Sequence, residues 1–288
     1  MLTPQSEMGI VNFILNLAGL LLWLNWRAEG ADPVGKRRPA TLLGTLRRAD
    51  NRNRRWQLPA AIAALLLLRA VLYWLIGSSA GWSARLDLGV TMLSFPSGLS
   101  GPAASFLRML LFSCLSFGLA LWVFYLWLLL LSILGGPPPF HHFVRAQLGA
   151  PDRWSRLAKA ALPFAATAPA WWVITWLLGW LKILPRPATE AHRIAGSLVM
   201  GLNAYLAWQF AAVALLVLYL LNSYIYFGRQ PFWSYVNAEG QALVSPLKKI
   251  PLRLGKADFA PLVVIVLVFL LAGIGQRLLA WLYLRAAV

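Results

Sequence analysis

Cysteine is almost missing from this chain of 288 residues: Cys114 stands alone. One thiol excludes an intramolecular disulfide and any metal site built on several cysteines. Set in an apolar run, it reads as a small buried side chain rather than a reactive one. Acids are scarce as well. Nine Asp and Glu stand against 26 Lys and Arg, and charged residues make up only 12% of the chain, about half the share of a soluble domain. None of the nine acids lies deep in an apolar run, which argues against a carboxylate relay of the kind ion pumps use. Enzyme signatures are also missing: there is no GxxxxGK[ST] phosphate loop, no G-x-S-x-G elbow and no HExxH. The stretch GGPPPF at 135–140 is a turn, not a nucleotide loop. No polar stretch is long enough to build a soluble core. The opening MLTPQSEMGIVNF lacks the basic start of a cleavable signal peptide, so the first apolar run is expected to be retained as a spanning helix.

What the chain has in quantity is apolar surface. It is 60% hydrophobic with a mean hydropathy of +0.66, and several runs reach the roughly 20 residues that cross a bilayer as a helix. Six spans are expected, at 8–26, 58–77, 104–134, 160–183, 197–227 and 259–284. The third and fifth are over-long for a hydrocarbon layer about 30 Å thick, so they should tilt, kink or project; Ser116, Gly118 and Asn203 are candidate bends. Trp23, Trp26, Trp56, Trp74, Trp82, Tyr224, Tyr226, Trp233, Trp281 and Tyr283 crowd the span ends as an interfacial belt.

The net charge of +17 would suggest nucleic acid in a soluble protein. Here the charges sort by loop. Arg27, Lys36, Arg37, Arg38, Arg47, Arg48, Arg52, Arg54 and Arg55 follow the first span. Arg145, Arg153, Arg156 and Lys159 follow the third, and Arg229, Lys248, Lys249, Arg253 and Lys256 the fifth. The positive-inside rule then places these loops in the cytoplasm and both termini on the outer side of a bacterial cytoplasmic (inner) membrane. Anionic headgroups are the expected partners of Arg37, Arg38, Arg54, Arg55, Lys248 and Lys249; nucleic-acid binding is not expected. Two amphipathic stretches in the basic loops, 40–48 and 236–250, suit the headgroup layer. The outer linkers near 86–96 and 187–200 are read as lying along the surface.

The loops also repeat. Pro139-Phe140 and Pro231-Phe232 lie 92 positions apart, as do Ala168-Pro169 and Ala260-Pro261. A repeat at fixed spacing is a copied supersecondary unit. The fold class expected is an all-α integral membrane protein of about six transmembrane helices, arranged as three helical hairpin repeats near 1–85, 100–185 and 195–288 of a single membrane domain.

Within the third hairpin, Pro231-Phe232, then Ser245-Pro246-Leu247-Lys248-Lys249, then Pro251, Gly255 and Asp258-x-x-Pro261 precede an apolar run. This ordered set resembles the YggT/YlmG family of small membrane proteins. Gln230 stands where that family usually has Asn, Ala260 where it has Ser, and Lys248-Lys249 near the place of a proline. The second hairpin keeps Pro139-Phe140, Pro163 and Pro169, with Thr167 near the place of the aspartate. The first keeps little more than charge, Pro59 and hydropathy. The resemblance implies a two-hairpin plan extended by one, and a role in membrane-complex assembly, division or nucleoid organisation, or tolerance of osmotic shock. No enzymatic activity is established for the family.

Some residues stand out as chemistry. Asp258, just before the last span, is either a proton or cation site or an N-cap favoured by the helix dipole. Arg69 lies near mid-span in LLLLRAVLYW, where charge is costly. It snorkels, bonds to carbonyls or to a polar side chain such as Asn12 or Asn16, or meets a carboxylate of a partner subunit. Arg277 is read as snorkelling. Asn203, Gln209 and Asn222 either hydrogen-bond between helices, at about 1 kcal/mol each, or line a polar path. His141 and His142 are read as interface loop residues rather than haem or metal ligands, and His192 as a surface residue. No catalytic residue, metal or cofactor is indicated. The function expected is a non-enzymatic scaffold, assembly factor or accessory subunit bound to other membrane proteins, with a channel or transporter for ions or osmolytes as the rival.

Overall fold

The computed structural model describes residues 4–31, 51–80, 83–95, 102–135, 140–181, 183–184, 189–225, 231–246, 253–254 and 257–287. Long helices dominate: α1 Pro4–Ala31, α2 Asn51–Ala80, α3 Pro102–Leu134, α5 Arg156–Trp180, α6 Glu190–Asn203, α7 Trp208–Tyr224 and α9 Ala260–Ala287. Two shorter helices, α4 Phe140–Leu148 and α8 Pro231–Val244, precede α5 and α9. Among the described residues, six segments are long and apolar enough to cross a membrane: Gly9–Arg27, Trp56–Gly77, Ala104–Leu134, Arg156–Trp180, Glu190–Tyr224 and Ala260–Arg285. These are the six expected spans, except that the fifth begins at Glu190 rather than near 197.

Local chemistry sets the ends. Ser155 caps α5 by accepting from Ala158 N at 3.3 Å, and Thr189 caps α6 by accepting from His192 N at 3.3 Å. Each satisfies one of the orphan N–H groups of a first turn. Gly135 ends α3 in the left-handed region, φ 80°, where only glycine sits without cost. Pro59, Pro163 and Pro169 lie inside helices, a placement that membrane helices tolerate when neighbours re-satisfy the backbone.

The chain divides into two compact units. One is Met1–Leu86 with Leu93–Trp122; the other is Asp87–Met92 with Val123–Val288. In the first, α1 packs on α2, and Gly19 of α1 meets the Phe117 ring of α3. In the second, α5 packs on α6, and α9 packs on α6, α7 and α8. Leu216, Val244, Ala260 and Val264 form one buried cluster of this unit, and Leu128, Leu129, Val144 and Leu148 another.

Asn203, a candidate bend, is the last residue of α6. After it the helix tightens to a 3-10 turn at Ala204–Ala207 before α7 resumes. That turn is pinned by Tyr205 Oη donating to Ala160 O at 2.7 Å and by Trp127 Nε1 donating to Ala207 O at 2.9 Å. At Ser116 and Gly118, by contrast, α3 runs on unbroken.

Other expectations are corrected. The linker near 86–96 is not a surface strip but two paired strands, β1 Ala84–Asp87 and β2 Met92–Phe95. Side chains there alternate with period two, burying Ala84, Leu86, Leu93 and Phe95, and Gly89 makes the turn at φ 83°. His141 and His142 lie in α4 rather than a loop. Cys114 lies on an exposed face of α3 instead of being buried. Asp258 is paired with Arg253 in a short ladder, β3 Arg253–Leu254 against β4 Ala257–Asp258, so the residue before α9 is Phe259 and not the acid.

Helix α8 docks on α7 through a glycine. A Cβ on Gly240 would stand 2.5–2.7 Å from Tyr219 Cγ, Cβ and Cδ2. Asn222 donates to Asn237 Oδ1 at 2.9 Å beside it. Gly240→Val should therefore lift α8 off α7, an overpacking cost of about 1–3 kcal/mol. Limited proteolysis should then cut within 231–246 faster than in the wild type, while the spans stay protected.

Candidate functional site

Among the described residues, three groups of buried polar side chains stand out. The first lies in the first unit. Arg69 is on α2, about 12 Å along the axis from Gly77 at 1.5 Å per residue, and it is fully buried, at 0% exposure. Its Nη1 donates to Asn16 Oδ1 of α1 at 2.7 Å. The Asn12 and Asn16 amides donate to Ser116 Oγ of α3 at 3.3 and 3.1 Å. The faces of Tyr73 and Phe112 lie 5.6 and 5.2 Å from the guanidinium carbon, within cation–π range. Of the outcomes open to Arg69 in the sequence, the structure selects the hydrogen bond to Asn16.

The second group ties the end of α3 to the start of α5. Ser132, Asp152 and Lys159 are all buried. Ser132 Oγ donates to Asp152 Oδ1 at 2.6 Å, and Lys159 Nζ donates to Ser132 Oγ at 2.7 Å. Lys159 Nζ lies 3.6 Å from Asp152 Oδ1, and Arg145 Nε lies 3.5 Å from Asp152 Oδ2. A serine beside a lysine can be a nucleophile when the lysine is a free base. Here the lysine is held against a carboxylate, its N–H covers the serine oxygen, and the serine proton already points at Asp152. The arrangement is a strut.

The third group lies on α8, outside the spans. Tyr235, Val236, Glu239 and Gly240 form its buried face, and Glu239 is 2% exposed. Its Oε2 has no hydrogen-bond partner among the described residues. Burial lifts its carboxyl from the ordinary 4.5 to about 7. Burial, and then the Glu239 charge, push the Tyr235 hydroxyl upward. Glu239 can take up or release a proton near neutral pH.

The other candidates from the sequence are dispersed. Asn203 Nδ2 donates to Leu88 O at 2.6 Å, gripping the β1–β2 turn, which Gln276 of α9 also holds through Gly89 O at 2.9 Å. Asn222 bonds Asn237, and Gln209 is half-buried on α7. Pro231 begins α8, with Phe232 and Pro246 exposed and Pro261 buried in the first turn of α9. Pro251, Gly255, Arg37, Arg38, Lys248, Lys249 and the 40–48 stretch lie outside the described residues, as do the side chains of Asp258, Arg54, Arg55, His141 and His142. Arg277 is exposed on α9, and His192 is half-buried beside Thr189 Oγ1 at 2.8 Å. Among the described residues no group of three or more His, Cys, Asp or Glu is placed to hold a metal ion.

Six apolar helices tied by buried polar groups make this a multi-pass helical membrane protein. Compared with models of known protein families, with curated proteins and with solved structures, the chain matches none.

Sequence reading missed Glu239, Asp152, Lys159 and Gln276. For Glu239 a signal was present: it sits at helical spacing among Tyr235, Val236, Leu243 and Val244, an acid on an apolar face. For Ser132, Asp152 and Lys159 there was none, because three separate elements bring them together.

Two outcomes follow. A carboxyl raised in the fold favours the folded state below pH 4.5, and that stability is lost as pH rises from 4.5 through 7. The loss is at most roughly 3 kcal/mol. Amide exchange of α8 should therefore quicken from pH 5 to 8 after correction for intrinsic rates, and Glu239→Gln should flatten the trend. Asp152→Asn leaves Lys159 buried without its countercharge and should cost about 3 kcal/mol. In thermal unfolding, Asp152→Asn with Lys159→Met should recover part of that loss.

Proposed function

We propose that this protein acts by binding other membrane proteins, as a non-enzymatic scaffold, assembly factor or accessory subunit of a larger complex in the bacterial cytoplasmic membrane. The observation that carries this reading is how the polar side chains at membrane depth are used. Arg69, Asn12, Asn16 and Ser116 bond to one another, and Ser113 bonds to Leu66 O at 2.9 Å. Asn203 and Asn222 are likewise committed to neighbouring elements. Used as struts, these groups do not line a path, which favours binding over transport. Much of what faces outward is apolar: Phe13, Leu17 and Leu21 on α1, and Phe269, Leu270, Ile274 and Leu278 on α9. Such faces serve lipid and partner helices alike.

The resemblance to the YggT/YlmG family points the same way, and the repeated Pro-Phe now opens a short helix twice, at α4 and at α8. We read these as related hairpins. The basic loops lie on the cytoplasmic face against anionic lipid, and both termini lie outside.

Gentle detergent purification of the tagged protein should bring down stoichiometric membrane partners. A chain that always purifies alone, with every membrane complex intact in its deletion strain, would sink the proposal, and ion or osmolyte flux in liposomes would then support the transport rival. For orientation, alkaline phosphatase fused after Val288 should be active, whereas fusions near Lys249 should be inactive.

A further inference from the structure

One turn of chain ahead of α5 presents charge and apolar surface side by side. From Arg145 to Lys159 the sequence has four cations and one acid, Asp152. That acid is committed to the interior: it is buried, accepts from Ser132 Oγ at 2.6 Å, and lies 3.6 Å from Lys159 Nζ and 3.5 Å from Arg145 Nε. The side chains of Arg153 and Arg156 form no ion pair or hydrogen bond among the described residues, and both are exposed. Beside them Trp154 is 47% exposed and Leu157 84%, the highest value of any large apolar side chain among the described residues.

This exposure is held in place by the fold. Gly149 turns the chain at φ 69°, a conformation that favours glycine. The 3-10 turn at Ala150–Arg153 is closed by Asp152 N donating to Gly149 O at 3.3 Å and Trp154 N donating to Pro151 O at 3.2 Å. Ser155 then caps α5. With Asp152 and Lys159 anchored inward on Ser132, the five residues between 153 and 157 are all exposed.

Place and charge select the occupant. The fourth span begins at Arg156, so this turn sits where headgroups meet acyl chains. Water is a poor surrounding for Leu157 and the acyl boundary a good one, and tryptophan favours that layer. Arginine grips phosphate oxygens with a fork of two N–H groups. A headgroup carrying its own ammonium would set a cation against the two arginines, whereas one of net negative charge would not. We propose that Arg153, Trp154, Arg156 and Leu157 form a preformed docking site for an anionic phospholipid, its phosphate on the two guanidinium groups and its acyl chains against Leu157 and Trp154. The inference rests on the reading that the basic loops meet anionic lipid, and assigns a particular site to it.

The lone cysteine allows a local test. The full chain with Cys114→Ser and Leu157→Cys accepts one small bimane fluorophore beside the arginines. It is reconstituted in vesicles of phosphatidylcholine with a fixed share of phosphatidylglycerol, and a nitroxide is carried on an acyl chain of one lipid or the other. The phosphatidylglycerol probe should quench with an association constant at least about fivefold that of the phosphatidylcholine probe. Arg153→Gln with Arg156→Gln should bring the two probes level without moving the unfolding midpoint, since both side chains are exposed and unpaired. Lys248→Gln with Lys249→Gln should leave the preference as it is. Equal quenching by the two probes with both arginines present would overturn the site while leaving the basic-loop reading standing. So would a preference that survives loss of both arginines; if a copurifying protein is lost in that variant, the turn is a protein contact instead. No quenching by either probe would place the turn outside the bilayer and overturn both.

Discussion

A polar group inside a bilayer has no water to fall back on, and the structure depends on meeting that constraint. Each N–H, hydroxyl or charge at depth must find its partner within the protein, at a cost of several kcal/mol where it fails. Arg69 is the most demanding case. A cation near mid-span recruits an amide from α1 and rings from α2 and α3, and the amides it engages recruit Ser116 in turn. Apolar packing alone gives little reason for three membrane helices to choose one another, because lipid tails are as apolar as leucine. A shared polar group does.

The second unit answers the same constraint with several smaller contacts. Asn203 and Gln276 hold one turn through the adjacent carbonyls Leu88 O and Gly89 O. Tyr205 and Trp208 reach backbone carbonyls of α5 and α3. Where the chain leaves the hydrocarbon, Ser132, Asp152 and Lys159 lock the end of one span to the start of the next. Interhelical bonds of this kind contribute about 1 kcal/mol each, so specificity comes from their number and direction. Glu239 is the exception. On α8, outside the spans, burial raises its carboxyl to about 7.

This distribution bears on function. A transporter keeps polar groups available along a path, while a binding protein can commit them to its own interior and leave its sides apolar. Here Asn12, Asn16, Arg69, Ser116 and Asn203 are bonded within the fold, and the outward faces of α1 and α9 are mainly aliphatic and aromatic, with Gln276 and Arg277 exposed on α9. Glu239 and the exposed Phe232 share a helix that follows the fifth span, in the loop where basic charge and the family-like motif concentrate.

Much of this was written in the chain. Hydropathy and length determine six spans, because a bilayer accepts only helices of about 20 apolar residues. Asn203 marked the break before α7, and Asn16 was among the partners open to Arg69, because a charge at depth leaves few choices. The paired strands at 84–95 went unread, since four-residue strands carry too little periodicity to stand out beside long helices. For Asp258, open in sequence to being a cap or a proton or cation site, proximity to a helix cannot show that the backbone first turns through a ladder with Arg253. The sequence by itself determined how much of the chain is in the membrane and how costly each polar residue there must be. Only the tertiary structure decided which of them meet, because Ser132 with Lys159, Asn12 with Ser116 and Gly89 with Gln276 come from distant elements, and no local pattern encodes a contact made across them.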